Sequence, residues 1–145
     1  MYIDNNLTLD LAAAITTTRA STNVIDLLVA RDIGVGDDPN LDVVCQVTTA
    51  FTGGTSLQVE LQGSPDNSTW TNMVDGPVCA LANLVVGAQL LNINFPAMAA
   101  GQTMPRYIRL NYTVVGTMTA GAVTATLVID RQRNVPYAPG VSVYN

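Results

Sequence analysis

The chain has 145 residues, 48% hydrophobic and 12% charged, and its six Arg against eleven acidic residues give a formal net charge of −5. It contains no His and no Lys, so the usual general base near neutral pH and the amine of Schiff-base chemistry are both missing. The acidic balance argues against direct binding to nucleic-acid phosphates, and no apolar run reaches the roughly 18–20 residues that cross a bilayer.

From the N-terminus, Met1 to Asn6 lacks the basic segment and apolar core of a secretion signal, which points to synthesis in a cytosol-like compartment. Leu7, Leu9 and Leu11 alternate with Thr8 and Asp10, which favours a first strand with the leucines on one face, although Ala12 to Ala14 would also suit a short helical turn. A polar linker, 16–23, leads to the apolar run Val24 to Val29, interrupted by Asp26. Arg31 to Asn40, with Gly34, Gly36, Asp37, Asp38 and Pro39, has loop composition. Leu41, Val43, Cys45 and Val47 then alternate with polar partners, Gly53-Gly54 supplies a turn, and Leu57, Val59 and Leu61 alternate with Gln58, Glu60 and Gln62. This stretch reads as an antiparallel hairpin.

After the turn-forming Ser64 to Ser68, Trp70 opens a short strand towards Met73. Val78 to Val86 and Gln89 to Phe95 form two apolar runs around Gly87, and a Pro/Gly/Ala-rich loop covers 96–105. Ile108, Leu110, Tyr112 and Val114 alternate with Arg109, Asn111 and Thr113, and beyond Gly116 to Gly121 come Val123, Ala125, Leu127 and Ile129. The pattern reads as a second hairpin. About eight strands with frequent turn signals and no helix predict an all-β antiparallel sandwich, jelly roll or barrel. The expected division is an N-terminal arm and first strand over 1–22, a sandwich core over 23–131 and an extended tail over 132–145, where Pro136 and Pro139 oppose a central strand.

Charged residues are about half as frequent as the ~25% usual for soluble domains, so part of the apolar excess is expected at a face covered by another subunit. An uncharged exterior of Thr, Asn and Gln is the competing explanation. Cys45 and Cys79 read as small packed residues, and a disulfide is not expected for a chain made in the cytosol. Asp37 and Asp38 match no calcium loop, so a plain turn is the stronger reading. Gly34-Val35-Gly36 lacks the third glycine and the helix of a dinucleotide site. Glu60, the one glutamate, reads as a solvated strand residue more readily than as half of a glycosidase pair. Trp70 near Asp66, Asn67 and Tyr112 could form a sugar-stacking platform, although a lone Trp in a sandwich belongs more often to the core. No catalytic residue, cofactor or metal site is expected.

The six cations are all arginines, whose planar fork suits protein interfaces. Position and chemistry single out Arg19, Arg31, Arg131 and Arg133, with Tyr137 and Tyr144 of the tail, as candidate interface residues. Internal partners such as Asp26 or Asp130 are an equal reading for any one arginine.

The segments Ser21 to Leu27, Arg31 to Gly34, Leu57 to Trp70, Arg106 to Val114 and Asp130-Arg131-Gln132, in this order and spacing, resemble the capsid cement proteins of tailed bacteriophages. The resemblance covers nearly the whole chain. It implies a jelly-roll-like sandwich on the outer surface of an icosahedral head, bridging neighbouring major capsid proteins, without an active site. The expected partners are the major capsid protein and a second copy of the chain, a homodimer ahead of a homotrimer, with neither nucleic acid nor membrane. A carbohydrate-binding or host-adhesion sandwich displayed on the virion is the alternative.

Overall fold

Period-two alternation puts one row of apolar side chains on one face of each strand, so the strands must bury that face against a second sheet. The computed structural model describes residues 2–34, 41–98 and 100–129. Its strands are β1 (Tyr2–Ala14), β2 (Arg19–Ala20), β3 (Ile25–Asp26), β4 (Leu41–Gly53), β5 (Ser56–Ser64), β6 (Thr71–Asp75), β7 (Cys79–Ala80), β8 (Gln89–Asn94), β9 (Tyr107–Val115) and β10 (Met118–Ile129), with a 3-10 turn at Leu81–Asn83. One sheet has the order β1-β10-β4-β8, the other β2-β9-β5-β6, with β3 also on β9 and β7 also on β5. All pairings are antiparallel.

Strands β2 and β3 share one edge of β9, and β6 and β7 share one edge of β5, so the ten strands fill eight positions. The pairs β1/β10, β2–β3/β9, β4/β8 and β5/β6 are nested like a long hairpin rolled on itself. That arrangement is a jelly roll, and the expected all-β sandwich is what the chain forms.

Both expected hairpins are corrected. Strand β4 lies in the first sheet and β5 in the second, and β9 and β10 are likewise split between the sheets. Alternation specifies which face is buried and leaves the neighbouring strand open, so an arch from one sheet to the other has the same pattern as a hairpin. Gly53 and Gly54 have φ of 72° and 67°. A Cβ on Gly116 would come within 2.9 Å of Gly54 Cα, so the two arches cross glycine on glycine.

The core between the sheets is built from Leu9, Val43, Cys45, Val47, Leu91, Val123, Ala125 and Leu127 on one side and Leu57, Val59, Leu61, Ile108, Leu110 and Tyr112 on the other. Residues 1–22 supply β1 and β2, and Leu9 and Ile15 enter this same core. The expected facing of β1 is corrected by irregular pairing. Its register on β10 shifts on both sides of Asp10, and Ala12 has φ 47°. The bulge turns Asp10 inward, 1% exposed, and leaves Leu11 75% exposed. The 78–86 run also departs from expectation: Cys79–Ala80 alone pairs as strand, and Val78, Val85 and Val86 face solvent.

Candidate functional site

The two ends of the sandwich differ. At one, the tight arches at 53–55 and 116–117 lie beside the 15–18 and 77–84 connections. At the other, segments 27–34, 65–70 and 95–106 gather, as the pairings Asp26↔Tyr107, Ser64↔Tyr107 and Asp42↔Asn94 require. Strand β10 ends there too, with Ile129 opposite Leu41.

Short acidic side chains organise this loop end by accepting hydrogen bonds from the backbone. Asp32 accepts from Gly34 N at 2.9 Å and from Met98 N at 2.8 Å, tying two loops together. Asp66 accepts from Thr69 N at 2.8 Å and Ser68 N at 3.0 Å, and these bonds hold its carboxyl well below the usual carboxylate range. Asp26 accepts from Arg106 Nε and Nη2, each at 2.8 Å, and from Leu28 N at 2.8 Å. The Arg106 pairing is first among the causes that lower the Asp26 pKa and raise that of Arg106. The Arg106 guanidinium also lies 4.9 Å from the Tyr107 ring centroid.

Between β6 and the 98–103 segment runs a cleft of about 240 Å³ lined by Thr71, Asn72, Met73, Met98, Gln102 and Thr103. None of these side chains is charged, so the cleft can take neutral groups and has no base or nucleophile aimed into it. Met73 is the extra residue of a bulge in β6, between Leu61↔Val74 and Gln62↔Asn72, which blunts this edge against addition of another strand.

The outward face of β5 and β9 is a connected polar ladder. Arg109 Nε donates to Gln62 Oε1 at 2.8 Å, Gln62 Nε2 to Asn72 Oδ1 at 2.8 Å, and Asn111 Nδ2 to Glu60 Oε2 at 2.7 Å. Glu60 is thus a strand residue held by its neighbours, with Thr113 Oγ1 donating to its second oxygen at 3.1 Å. Arg109 stacks on Trp70, 3.9 Å from the ring centroid, and partial burial lowers the Arg109 pKa. Trp70 is therefore half-buried on the outside rather than in the core. The platform joining it to Tyr112 is not formed, because Tyr112 points inward and is fully buried.

Tyr112 belongs instead to a knot that closes the edge of the sandwich where β1 meets β2. Its hydroxyl donates to Asp10 Oδ2 at 2.7 Å, while Asp10 Oδ1 accepts from Thr22 Oγ1 at 2.6 Å, Thr22 N at 3.0 Å and Arg19 Nη2 at 3.2 Å. Burial, above all, raises the Tyr112 pKa, and it pushes the adjoining Cys45 thiol up to about 12.

Of the candidate interface residues, Arg19 is engaged in this knot and lies over the Tyr112 ring at 5.6 Å. Arg31 is exposed at the loop end, with Nη2 donating to Leu27 O at 2.7 Å. The structure does not bring the two together. Arg131, Arg133, Tyr137 and Tyr144 lie outside the described residues, as do Asp37 and Asp38. Sequence reasoning passed over Leu28, which is 73% exposed with φ 67°. The available signal was Asp26 two residues earlier, a spacing that caps a turn.

The protein-family model Bbp16 matches residues 9–127. The chain belongs to the Bbp16 family. The Bbp16 match starts at Leu9 in β1 and ends at Leu127 in β10, so it spans both sheets, the Asp10 knot and the loop end, and Arg131 to Tyr144 lie beyond it. No curated protein matches this Bbp16-family chain.

Proposed function

We propose that this protein is a structural virion component, a capsid cement or decoration protein. In this reading it binds the outer surface of an icosahedral phage head and bridges neighbouring major capsid proteins against internal DNA pressure. The observation that carries the reading is the distribution of surface on the jelly roll. Exposed apolar side chains lie at both ends, Val78 and Val115 near the arches and Leu28, Val29 and Met104 at the loop end, and among the described residues only the loop end adds the arginines Arg31 and Arg106 to them. Membership of the Bbp16 family supports it, since that name suggests a phage-related protein. So do the low charge and the absence of His and Lys from the sequence.

The mechanism is avidity. Several weak contacts from one homo-oligomer on a local symmetry axis, a dimer on a two-fold ahead of a trimer on a three-fold, multiply into tight attachment. No catalysis, cofactor, nucleic acid or membrane enters this reading, and the protein is made in the host bacterial cytoplasm before joining the particle. The test is co-sedimentation with expanded phage heads stripped of the protein. Saturation at a fixed ratio to capsid subunits, with heads made more resistant to heat or low salt, is the expected result; failure to bind competent heads sinks the reading.

The adhesion alternative needs an aromatic face open to a sugar, and Trp70, although at the surface, has Arg109 stacked on it. Glycan-array binding lost in Trp70→Ala with an intact fold would put it ahead.

A further inference from the structure

We infer that Arg109 is a preset receptor for a carboxylate, supplied by an acidic side chain of a major capsid protein subunit. This rests on the cement reading and names one contact within it. The described arginines differ in how they are used. Arg19 pairs with Asp10 and Arg106 with Asp26, while Arg31 is exposed and gives Nη2 to Leu27 O. Arg109 is half-buried, yet among the described residues it has no ion pair. Its Nε donates to Gln62, and among those residues neither Nη1 nor Nη2 has a hydrogen-bond partner. Burial lowers its pKa with no carboxylate to oppose the effect. A cation withdrawn from water in this way gains from an anion brought to it.

The fork is also held still. The Arg109 guanidinium lies 3.9 Å from the Trp70 ring centroid. Its Nε is fixed on Gln62 Oε1 at 2.8 Å, Gln62 Nε2 donates to Asn72 Oδ1 at 2.8 Å, and Asn72 Nδ2 donates to Asp75 Oδ1 at 2.6 Å. Trp70 and Gln62 are thus positioning residues, and little rotamer freedom is left to lose on binding. Two terminal nitrogens in one plane match the two oxygens of a carboxylate.

The neighbouring groups select its source. A sugar acid would need an aromatic face for its ring, and Arg109 already covers a face of Trp70. A two-fold contact would set this face against itself. Each copy would then bring two acids, the paired Glu60 and Asp75, against one Arg109. Those acids are already engaged, Glu60 by Asn111 and Thr113 and Asp75 by Asn72. The same two acids disfavour a strongly acidic partner surface. The site therefore suits a single carboxylate among neutral groups of a different protein, with the exposed Asn72 beside it to meet them.

The test compares wild type, Arg109→Gln, Arg109→Lys and Trp70→Ala for co-sedimentation with stripped expanded heads, alongside sedimentation mass, thermal melting and glycan-array binding of each protein alone. Arg109→Lys keeps the charge and removes the fork, whereas Trp70→Ala keeps the fork and removes the ring that holds it. The expected result is that Arg109→Gln raises the concentration for half-saturation at least about tenfold and Arg109→Lys at least about fivefold. Trp70→Ala should raise it by a smaller factor, and mass should be unchanged in all three. If Arg109→Gln melts below the assay temperature, Arg109→Lys, which retains a cation over the ring, decides the matter. Binding of Arg109→Gln within twofold of wild type overturns the receptor and leaves cement standing. Weak binding by Arg109→Gln with wild-type binding by Arg109→Lys reduces the site to a point charge and overturns recognition by the fork. A fall in oligomer mass assigns Arg109 to contact between copies, and glycan binding lost in Arg109→Gln assigns it to a sugar acid; either overturns the capsid carboxylate. If wild type itself fails to bind competent heads, the cement reading falls and this contact with it.

Discussion

Removing the Asp10 carboxylate should unlock the edge of the sandwich. In Asp10→Ala, the donors of Arg19, Thr22 and Tyr112 lose the two oxygens that now satisfy them. Arg19 is 28% exposed in its side chain and can turn to water, so its share is discounted. Thr22 loses two bonds to a charged acceptor, and the fully buried Tyr112 hydroxyl is left without its partner, at about 1–3 kcal/mol for a stranded polar group. The stranded Tyr112 hydroxyl and the lost Thr22 bonds together make the cost about 2–4 kcal/mol, which at ~2–4 °C per kcal/mol lowers Tm by about 10 °C. Urea denaturation of Asp10→Ala, Tyr112→Phe and the double variant isolates the pair. Tyr112→Phe alone should cost about 1–2 kcal/mol because it removes one net hydrogen bond. In the Asp10→Ala background it should cost little or restore stability, since it deletes the stranded hydroxyl. A loss below about 1 kcal/mol for Asp10→Ala, or additivity within about 0.5 kcal/mol, would refute the reasoning.

Gly121→Ala should destabilise by about 3 kcal/mol, because its Cβ would lie 2.2 Å from the Phe51 ring at a φ of 140°. Phe51→Ala should cost less in that background than in wild type, and a Gly121→Ala loss under about 1 kcal/mol contradicts the packing. Cys45 is buried with its thiol pushed up to about 12 and Cys79 is half-buried, so an aromatic disulfide reagent at pH 8 should label one thiol per native chain and both after unfolding; two fast thiols would contradict this. The Asp66 and Asp26 pKa values are lowered in the fold, so the unfolded chain binds more protons and their stabilisation is complete above the unfolded value of about 3.9. It is lost as pH falls through the lower folded values. The urea midpoint should therefore drop below about pH 4, and Asp66→Asn should flatten that drop; an unchanged slope would remove Asp66 as a contributor.

How much of this was legible varies by element, for physical reasons. The inward rows Val43-Cys45-Val47, Leu57-Val59-Leu61 and Ile108-Leu110-Tyr112 are buried as their alternation requires, because period two encodes facing directly. Partnership is not encoded that way: both glycine turns suit a hairpin, and the sandwich uses them as arches. Bulges defeat facing as well, as the inward Asp10 and outward Leu11 illustrate. Among side chains, the pairing of an arginine with Asp26 was one of the readings open to the sequence, and Arg106 forms it. Trp70 escaped the core because the short strand it precedes is a bulged edge, where Arg109 can cover a ring from the solvent side.

The Asp10 knot and the Asp26 clamp use the same device at opposite ends of one sheet edge. Strand β9 pairs with the two-residue strand β2 at Tyr112 and Asn111, and with the two-residue strand β3 at Ile108 and Tyr107. Such short pairings supply few ladder bonds, so the edge depends on side chains to hold it. Near β2 the carboxylate is buried and its bonds close the core. At the end of β3 the carboxylate is exposed, and its bonds hold a strained turn in which Leu27 still packs on the core while Leu28 and Val29 face solvent. Replacing Asp26 should therefore have the opposite profile to replacing Asp10. Asp26→Ala frees the turn to relax while the sandwich keeps its core. If the loop end carries the contact with phage heads, that variant should weaken attachment several-fold while the urea midpoint moves far less than for Asp10→Ala. Equal losses of stability from the two substitutions would mean that the Asp26 clamp serves the fold, and that the exposure of Leu28 is incidental to it.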